Sequence, residues 1–168
     1  MTEKQMADFY HRSYKAADGL WFMKVEEAYG FDIALDIDDE VWKVLPKMQA
    51  RMLKNLGKTG NDIEDLFECF IIKLKLEGFT FEAKMDEGGA GFGVTIRRCP
   101  WHDAMIKSGR EHLSGKVGTR ICDTEYSVWA SEFGNDIKGK IESRICTGSE
   151  SCKSRFSRRS GKLKGLGG

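Results

Sequence analysis

Apolar positions in the first half of the chain recur at the three-to-four-residue spacing of amphipathic helices. One helix is predicted over residues 2–30, with Thr2 as its N-cap and a glycine as its stop. A second is predicted to begin at residue 38 or 39 and to end at residue 57, and Pro46 inside it predicts a kink or a later start. A third is predicted over residues 61–78. The N-terminal half is therefore expected to be helical.

The period changes to two after residue 78, which indicates strands. Residues 79–85 and 92–97 alternate apolar and polar side chains around a glycine-rich turn, which predicts a β-hairpin. Two further helices and a second hairpin are predicted after it, over residues 100–112, 116–133, 137–145 and 152–156. The sequence therefore predicts an α+β fold: N-terminal helices followed by a four-stranded antiparallel sheet made of two hairpins, with two helices inserted between the hairpins. Residues 1–159 are expected to form one domain, and residues 160–168 a flexible, basic, glycine-rich tail.

Composition narrows the class of protein. The chain has 168 residues, of which 40% are hydrophobic, so it can bury a sizeable core. A net charge of +1 gives no overall electrostatic attraction to nucleic acid. Neither a signal peptide nor a membrane-spanning run is expected, which predicts a cytoplasmic protein without membrane contact. In that compartment five cysteines are better interpreted as thiols, metal ligands or reactive groups than as disulfides.

Four of the cysteines lie in the second half of the chain and are expected to converge. Cys99 ends the second predicted strand, Cys122 lies in the fifth predicted helix, and Cys146 and Cys152 flank a predicted turn. Four thiolates are the ligand set of a zinc site or an iron–sulfur cluster, so these residues are the candidate metal ligands. Their spacing matches no standard motif, so a reactive-thiol pocket and simple packing stay open. Cys69, inside a predicted helix, is interpreted as a core residue.

A catalytic interpretation uses fewer residues. Cys99 or Cys122 would be the nucleophile, and His102 or Asp123 would act as its base or orient it. The N-terminus of the helix beginning at Pro100 would favour a thiolate at Cys99. This assignment and the metal site are alternatives for the same cysteines.

The segments RRCPWHDAMIKSGREHLSGKVGTRICDTEYSVWASEFG and RICTGSESCKSRF resemble a group of small prokaryotic proteins. These proteins are related to L-2-amino-thiazoline-4-carboxylic acid hydrolase and to vinyl-reductase-type ligand-binding domains. The shared features correspond to Cys99, the pair Cys122-Asp123, and Gly148 with Cys152. The resemblance implies a small-ligand domain or a hydrolase that opens the C–N bond of a cyclic amidine. Cys146 is not part of the hydrolase pattern, which favours metal over hydrolysis.

The resulting prediction is a cysteine-lined protein that binds a small molecule and holds an iron–sulfur cluster or zinc. The alternatives are a cyclic-amidine hydrolase with a reactive cysteine and a non-catalytic sensor or adaptor domain. A small molecule is the expected ligand, and the sequence leaves open whether the protein forms a homodimer. The six basic residues from residue 153 onward do not favour nucleic acid as a partner, given the near-neutral overall charge.

Overall fold

A computed structural model describes residues 1–159; residues 160–168, where the basic tail was predicted, lie outside the described part. The described elements are the helices α1 (Glu3–Tyr29), α2 (Phe31–Trp42), α3 (Leu45–Gly57), α4 (Ile63–Leu76), α5 (Pro100–Lys107) and α6 (Glu111–Phe133), the strands β1 (Thr80–Met85), β2 (Gly91–Arg98), β3 (Ile137–Ser143) and β4 (Cys152–Arg158), and a 3₁₀ turn (Ile145–Thr147). The predicted α+β class, with helices before the sheet and two helices between its hairpins, is confirmed.

The N-terminal half contains four helices where three were predicted. Thr2 caps α1 as expected, in a capping box with Gln5. The acidic segment after Gly30, expected to be a connection, is the helix α2. Its inward residues Leu35 and Trp42 are buried, so packing holds this helix although Gly30 provides no side-chain cap.

Pro46 explains why the second predicted helix divides. A proline at this position has no N–H to donate to the carbonyl of Trp42, and its ring clashes with that carbonyl. The chain therefore ends α2 at Trp42 and begins α3 at Leu45, with Pro46 in the first turn of α3. The predicted later start at the proline is what the structure shows.

The four strands form one antiparallel sheet in the order β1-β2-β4-β3. The two hairpins join through β2 and β4, where Phe92 pairs with Phe156 and Ile96 pairs with Cys152. The last strand pair is shorter than predicted, because β3 ends at Ser143 and residues 145–147 turn into the 3₁₀ segment. Cys146 therefore does not oppose Cys152 in the ladder.

The main core lies between the sheet and helices α4 and α6. Phe70 of α4, Tyr126 of α6 and Phe156 of β4 meet with ring centroids 5.0–5.5 Å apart. A second, smaller cluster joins α2 and α6 through Leu35, Trp42 and Ile121. The space between these two clusters is where the candidate site lies.

Candidate functional site

A cavity of about 370 Å³ lies between α1, α5, α6 and one end of the sheet. This volume is within the range of small-molecule sites, about 300–1,000 Å³. Its wall is mostly apolar, and α1, α2, β2 and α6 all contribute to it. Representative wall residues are Phe22, Trp42, Ile96, Val117, Ile121, Ile141 and Tyr126.

The structure brings the four C-terminal-half cysteines to this one cavity. Cys99 precedes the first residue of α5, Cys122 lies in the middle of α6, Cys146 lies in the 3₁₀ turn, and Cys152 begins β4. The backbone N–H of Ile145 donates to Cys152 Sγ over 3.2 Å. Cys69, by contrast, is 2% exposed in the main core and does not line the cavity.

Burial keeps the cavity thiols protonated. It raises the pKa of Cys99 to about 11, against hydrogen bonds from the backbone N–H groups of His102 and Trp101. Burial also raises the pKa of Cys122, with further contributions from Glu125 and the other three cavity thiols. The pKa values of Cys146 and Cys152 are raised by burial as well. These thiols are therefore neutral, weakly polar parts of an apolar wall.

The predicted metal site is wrong. Within residues 1–159, no group of three or more His, Cys, Asp or Glu side chains is arranged to hold a metal ion. Cys99, Cys122, Cys146 and Cys152 line one cavity but do not form such a group. The metal-binding function predicted from these residues is therefore contradicted.

Of the two residues predicted to assist a nucleophile, the structure places one at the cavity and the other outside it. His102, in the first turn of α5, lines the cavity beside Cys99. Asp123 does not line it: its side chain is 57% exposed and forms an ion pair with Arg144. The pairing of Cys122 with Asp123 in sequence thus places one side chain in the cavity and the next outside it, as expected for neighbours on a helix.

Two carboxyl groups face the cavity from the N-terminal helices. Asp18 of α1 and Asp38 of α2 both line it, and neither forms an ion pair with another described residue. Burial, and then Glu77, raise the pKa of Asp18 to about 6. Burial, and then Asp18, raise the pKa of Asp38 to about 7. This part of the wall therefore changes charge near neutral pH.

A buried ionic group adjoins the cavity floor. Lys73 of α4 contacts Glu77 Oε2 at 3.3 Å and Glu125 Oε1 at 2.6 Å, and all three side chains are buried. The indole N–H of Trp101 donates to Glu77 Oε2 over 3.2 Å. Although burial alone would lower it, Glu125 and Glu77 hold the pKa of Lys73 above its usual value. The group fixes α4, α5 and α6 around the cavity.

Sequence reasoning missed Asp18, Asp38 and this ionic group. One signal was present: Lys73 follows Phe70 by three residues within an apolar stretch, so it lies on the inward face of α4. A lysine on that face requires a buried carboxylate partner. Nothing in the local sequence indicates which carboxylate it is, since Glu125 lies more than fifty residues away.

The fold and cavity define a class: an α+β domain with helices enclosing an apolar cavity against an antiparallel sheet. The chain belongs to DUF6125, a family of unknown function whose model matches residues 4–156. No curated protein matches the sequence at a significant level.

A solved structure with a similar fold is trafficking protein particle complex subunit 3 from Naegleria fowleri, covalently bound to palmitic acid. It is 9% identical, with a TM-score of 0.55, and the match covers 94% of this chain and 97% of that chain. At this identity the similarity shows the fold alone. No helix within residues 1–159 is long and apolar enough to cross a membrane. The resemblance to the thiazoline carboxylate hydrolase group stays a prediction, since no comparison tests it.

Proposed function

We propose that this protein is a non-catalytic adaptor domain that holds an apolar small molecule in its cavity and docks protein partners through its helices. The cavity carries the proposal: it is mostly apolar, and its four thiols are protonated. A protonated thiol is a poor nucleophile, so the wall suits binding better than acyl transfer or hydrolysis. The hydrolase alternative with Cys99, His102, Cys122 and Asp123 has no such support.

The structural neighbour supports both parts of this proposal. That protein is a subunit of a trafficking protein particle complex, and it is covalently bound to palmitic acid. A hydrocarbon chain is the ligand class that an apolar cavity of this kind accommodates, because burying each methylene group stabilises the complex by about 0.8 kcal/mol. We therefore propose a fatty acid or a similar long-chain molecule as the ligand.

The helices provide surface for protein partners. The side chains of α1 include no buried residue, and Phe9 and Trp21 of this helix are 62% and 74% exposed. Large apolar side chains of this kind are enriched in protein interfaces. A second copy of the chain is among the partners proposed. A cytoplasmic location is part of the proposal, because all five cysteines are free thiols.

Ligand binding can be tested directly. The full chain would be purified, extracted with organic solvent and analysed by mass spectrometry, and displacement of a fluorescent fatty acid would be titrated. Val117→Trp, which fills the cavity, is expected to weaken binding at least tenfold, whereas Ile106→Trp, at an exposed position on α5 outside the cavity, leaves it unchanged. Equal binding by both variants, or no saturable binding by the wild type, contradicts the proposal.

The same measurement separates a non-covalent ligand from a thioester. A mass increase that persists under denaturing conditions and is removed by neutral hydroxylamine indicates acylation of a cysteine. We expect none, because the raised pKa of each cavity thiol disfavours the attacking thiolate.

A further inference from the structure

Helices α2 and α3 share one row of exposed apolar side chains, which we name the α2–α3 row. Successive members are separated by four or three positions, so they lie on one side of a helix. Each is between 46% and 75% exposed. The members are Ile33, Ile37, Val41, Val44, Met48, Met52 and Leu56.

The row is continuous across the joint between the two helices. Lys43 and Val44, which connect them, both keep right-handed helical backbone angles. The N–H of Lys47 donates to the carbonyl of Val44 over 3.1 Å, so the helical path resumes at once. The same three-to-four-residue spacing of exposed apolar side chains therefore continues from α2 into α3.

The opposite sides of both helices already pack against the domain. Ala34, Leu35 and Trp42 of α2 and Ala50 of α3 are buried. Each helix therefore has two apolar faces: one packs against the rest of the domain, and the other is the exposed row. Single exposed apolar side chains are common on protein surfaces, but a continuous band of this length marks an interaction site.

The charges beside the row identify the occupant. Helix α2 carries acidic residues and no basic one; Asp36 is paired with Arg120 of α6 and Glu40 with Lys43, whereas Asp32 forms no ion pair with another described residue. Helix α3 carries basic residues and no acidic one; Arg51 is paired with Glu132 of α6, whereas Lys47 and Lys58, which follows the helix, form no ion pair with another described residue. A two-fold axis near Val44 would lay α2 of one copy against α3 of the other. The surface is self-complementary under that rotation, as a two-fold interface requires.

We propose that the α2–α3 row is the interface of a two-fold symmetric homodimer, with α2 of each copy antiparallel to α3 of its partner. The seven apolar side chains of the row would form the centre of that interface, and the charged residues beside them its polar rim. This inference extends the partner-docking part of the proposed function and does not depend on the cavity ligand.

The first test is the molar mass of the full chain in solution, by light scattering after size exclusion. The wild type is expected to have twice the mass of one chain, and the dimer to weaken as salt rises, because the charges beside the row are exposed. Ile37→Glu is expected to raise the dimer Kd at least tenfold. Ile106→Glu is the matched control, since both isoleucines are 46% exposed and Ile106 lies on α5.

A charge exchange tests the proposed orientation. Asp32→Lys/Glu40→Lys makes α2 basic at two positions, and Lys47→Glu/Lys58→Glu makes α3 and its end acidic. Each variant alone would place like charges opposite each other and is expected to be monomeric. An equimolar mixture restores opposite charges at both contacts and is expected to form the heterodimer, which also shows that both variants fold.

Three results would overturn the inference: a monomeric wild type at 100 µM, an Ile37→Glu variant that dimerises like Ile106→Glu, or a mixture that does not associate. Fatty-acid binding measured on the same samples keeps this result separate from the cavity proposal. A wild type that binds fatty acid but stays monomeric refutes the interface alone, and a wild type that dimerises without binding fatty acid refutes the ligand alone.

Discussion

Lys73 Nζ lies 2.6 Å from Glu125 Oε1 in the interior of the protein, where the two side chains are 3% and 8% exposed. The same ammonium contacts Glu77 Oε2 at 3.3 Å, so one buried cation is paired with two carboxylates. Burial raises the pKa of the Glu125 carboxyl, and Lys73 opposes that rise. The position of α6 relative to α4 depends on this contact.

Removing the cation is expected to destabilise the protein strongly. Lys73→Met leaves Glu77 and Glu125 buried without a counter-charge, and breaking a buried pair in this way costs about 3–5 kcal/mol. The free energy of unfolding would be measured by urea denaturation. The triple variant Lys73→Met/Glu77→Gln/Glu125→Gln should recover most of the loss. A single variant within about 1 kcal/mol of wild type would show that these carboxylates are neutral or solvated.

Stability is expected to fall as the pH rises from about 4 to about 7. In the folded state burial raises the pKa of Asp18 to about 6 and that of Asp38 to about 7, whereas an unfolded aspartate titrates near 3.9. The folded protein therefore binds more protons over this window, and its stability is lost as the pH increases.

Asp38→Asn removes one of these titrations, so the slope of Tm against pH between 4 and 7 should flatten. The control is Asp32→Asn, at an exposed position on the same helix. Thermal unfolding followed by circular dichroism provides the measurement. An unchanged slope in Asp38→Asn would mean that Asp38 is not the group that titrates.

Gly118 on α6 provides space for the Cys146 thiol. A Cβ at Gly118 would lie 2.7 Å from Cys146 Sγ, so Gly118→Ala forces the 3₁₀ turn away and should cost about 1–3 kcal/mol. In a Cys146→Ala background the same change should cost much less, which a double-mutant cycle measures. Gly19→Ala is the control: no atom lies within 4 Å of its added Cβ, and alanine favours a helix. Additive costs for Gly118→Ala and Cys146→Ala would contradict this contact.

Cys69 should behave as a core residue without a part in ligand binding. Its thiol is 2% exposed and lies 3.6 Å from Thr59 Oγ1. Cys69→Ala is expected to cost about 1 kcal/mol of stability, because a small buried group is removed. Fatty-acid affinity should stay at the wild-type value, since Cys69 does not line the cavity. A clear loss of affinity would place the ligand elsewhere.

The sequence predicted the fold class because the hydrophobic period changes to that of strands near residue 78, returns to that of helices near residue 100 and changes again near residue 137, and the structure follows these changes. It did not predict the first two turns of α2, because this stretch is rich in acidic residues such as Asp32 and Asp36 and has few inward apolar positions. Leu35 and Trp42 stabilise it only through contacts with other helices. Local propensity does not record such contacts.

The candidate site could be predicted in part. The sequence predicted that four cysteines converge, and Cys99, Cys122, Cys146 and Cys152 do line one cavity. The residue types alone could not show that the elements carrying these cysteines surround an apolar cavity. The sequence therefore predicted a metal site where the structure has an apolar wall. Another part of that wall comes from α1, more than seventy residues earlier in the chain.

Helix α1 is one wall of the cavity, yet none of its 27 residues is buried. Its detachment would leave the main core between α4, α6 and the sheet intact, so it should cost less free energy than unfolding the domain. A ligand that contacts α1 then holds it in place by mass action. If the cavity binds such a ligand, the opening of this single helix is expected to set the rate at which the ligand enters and leaves.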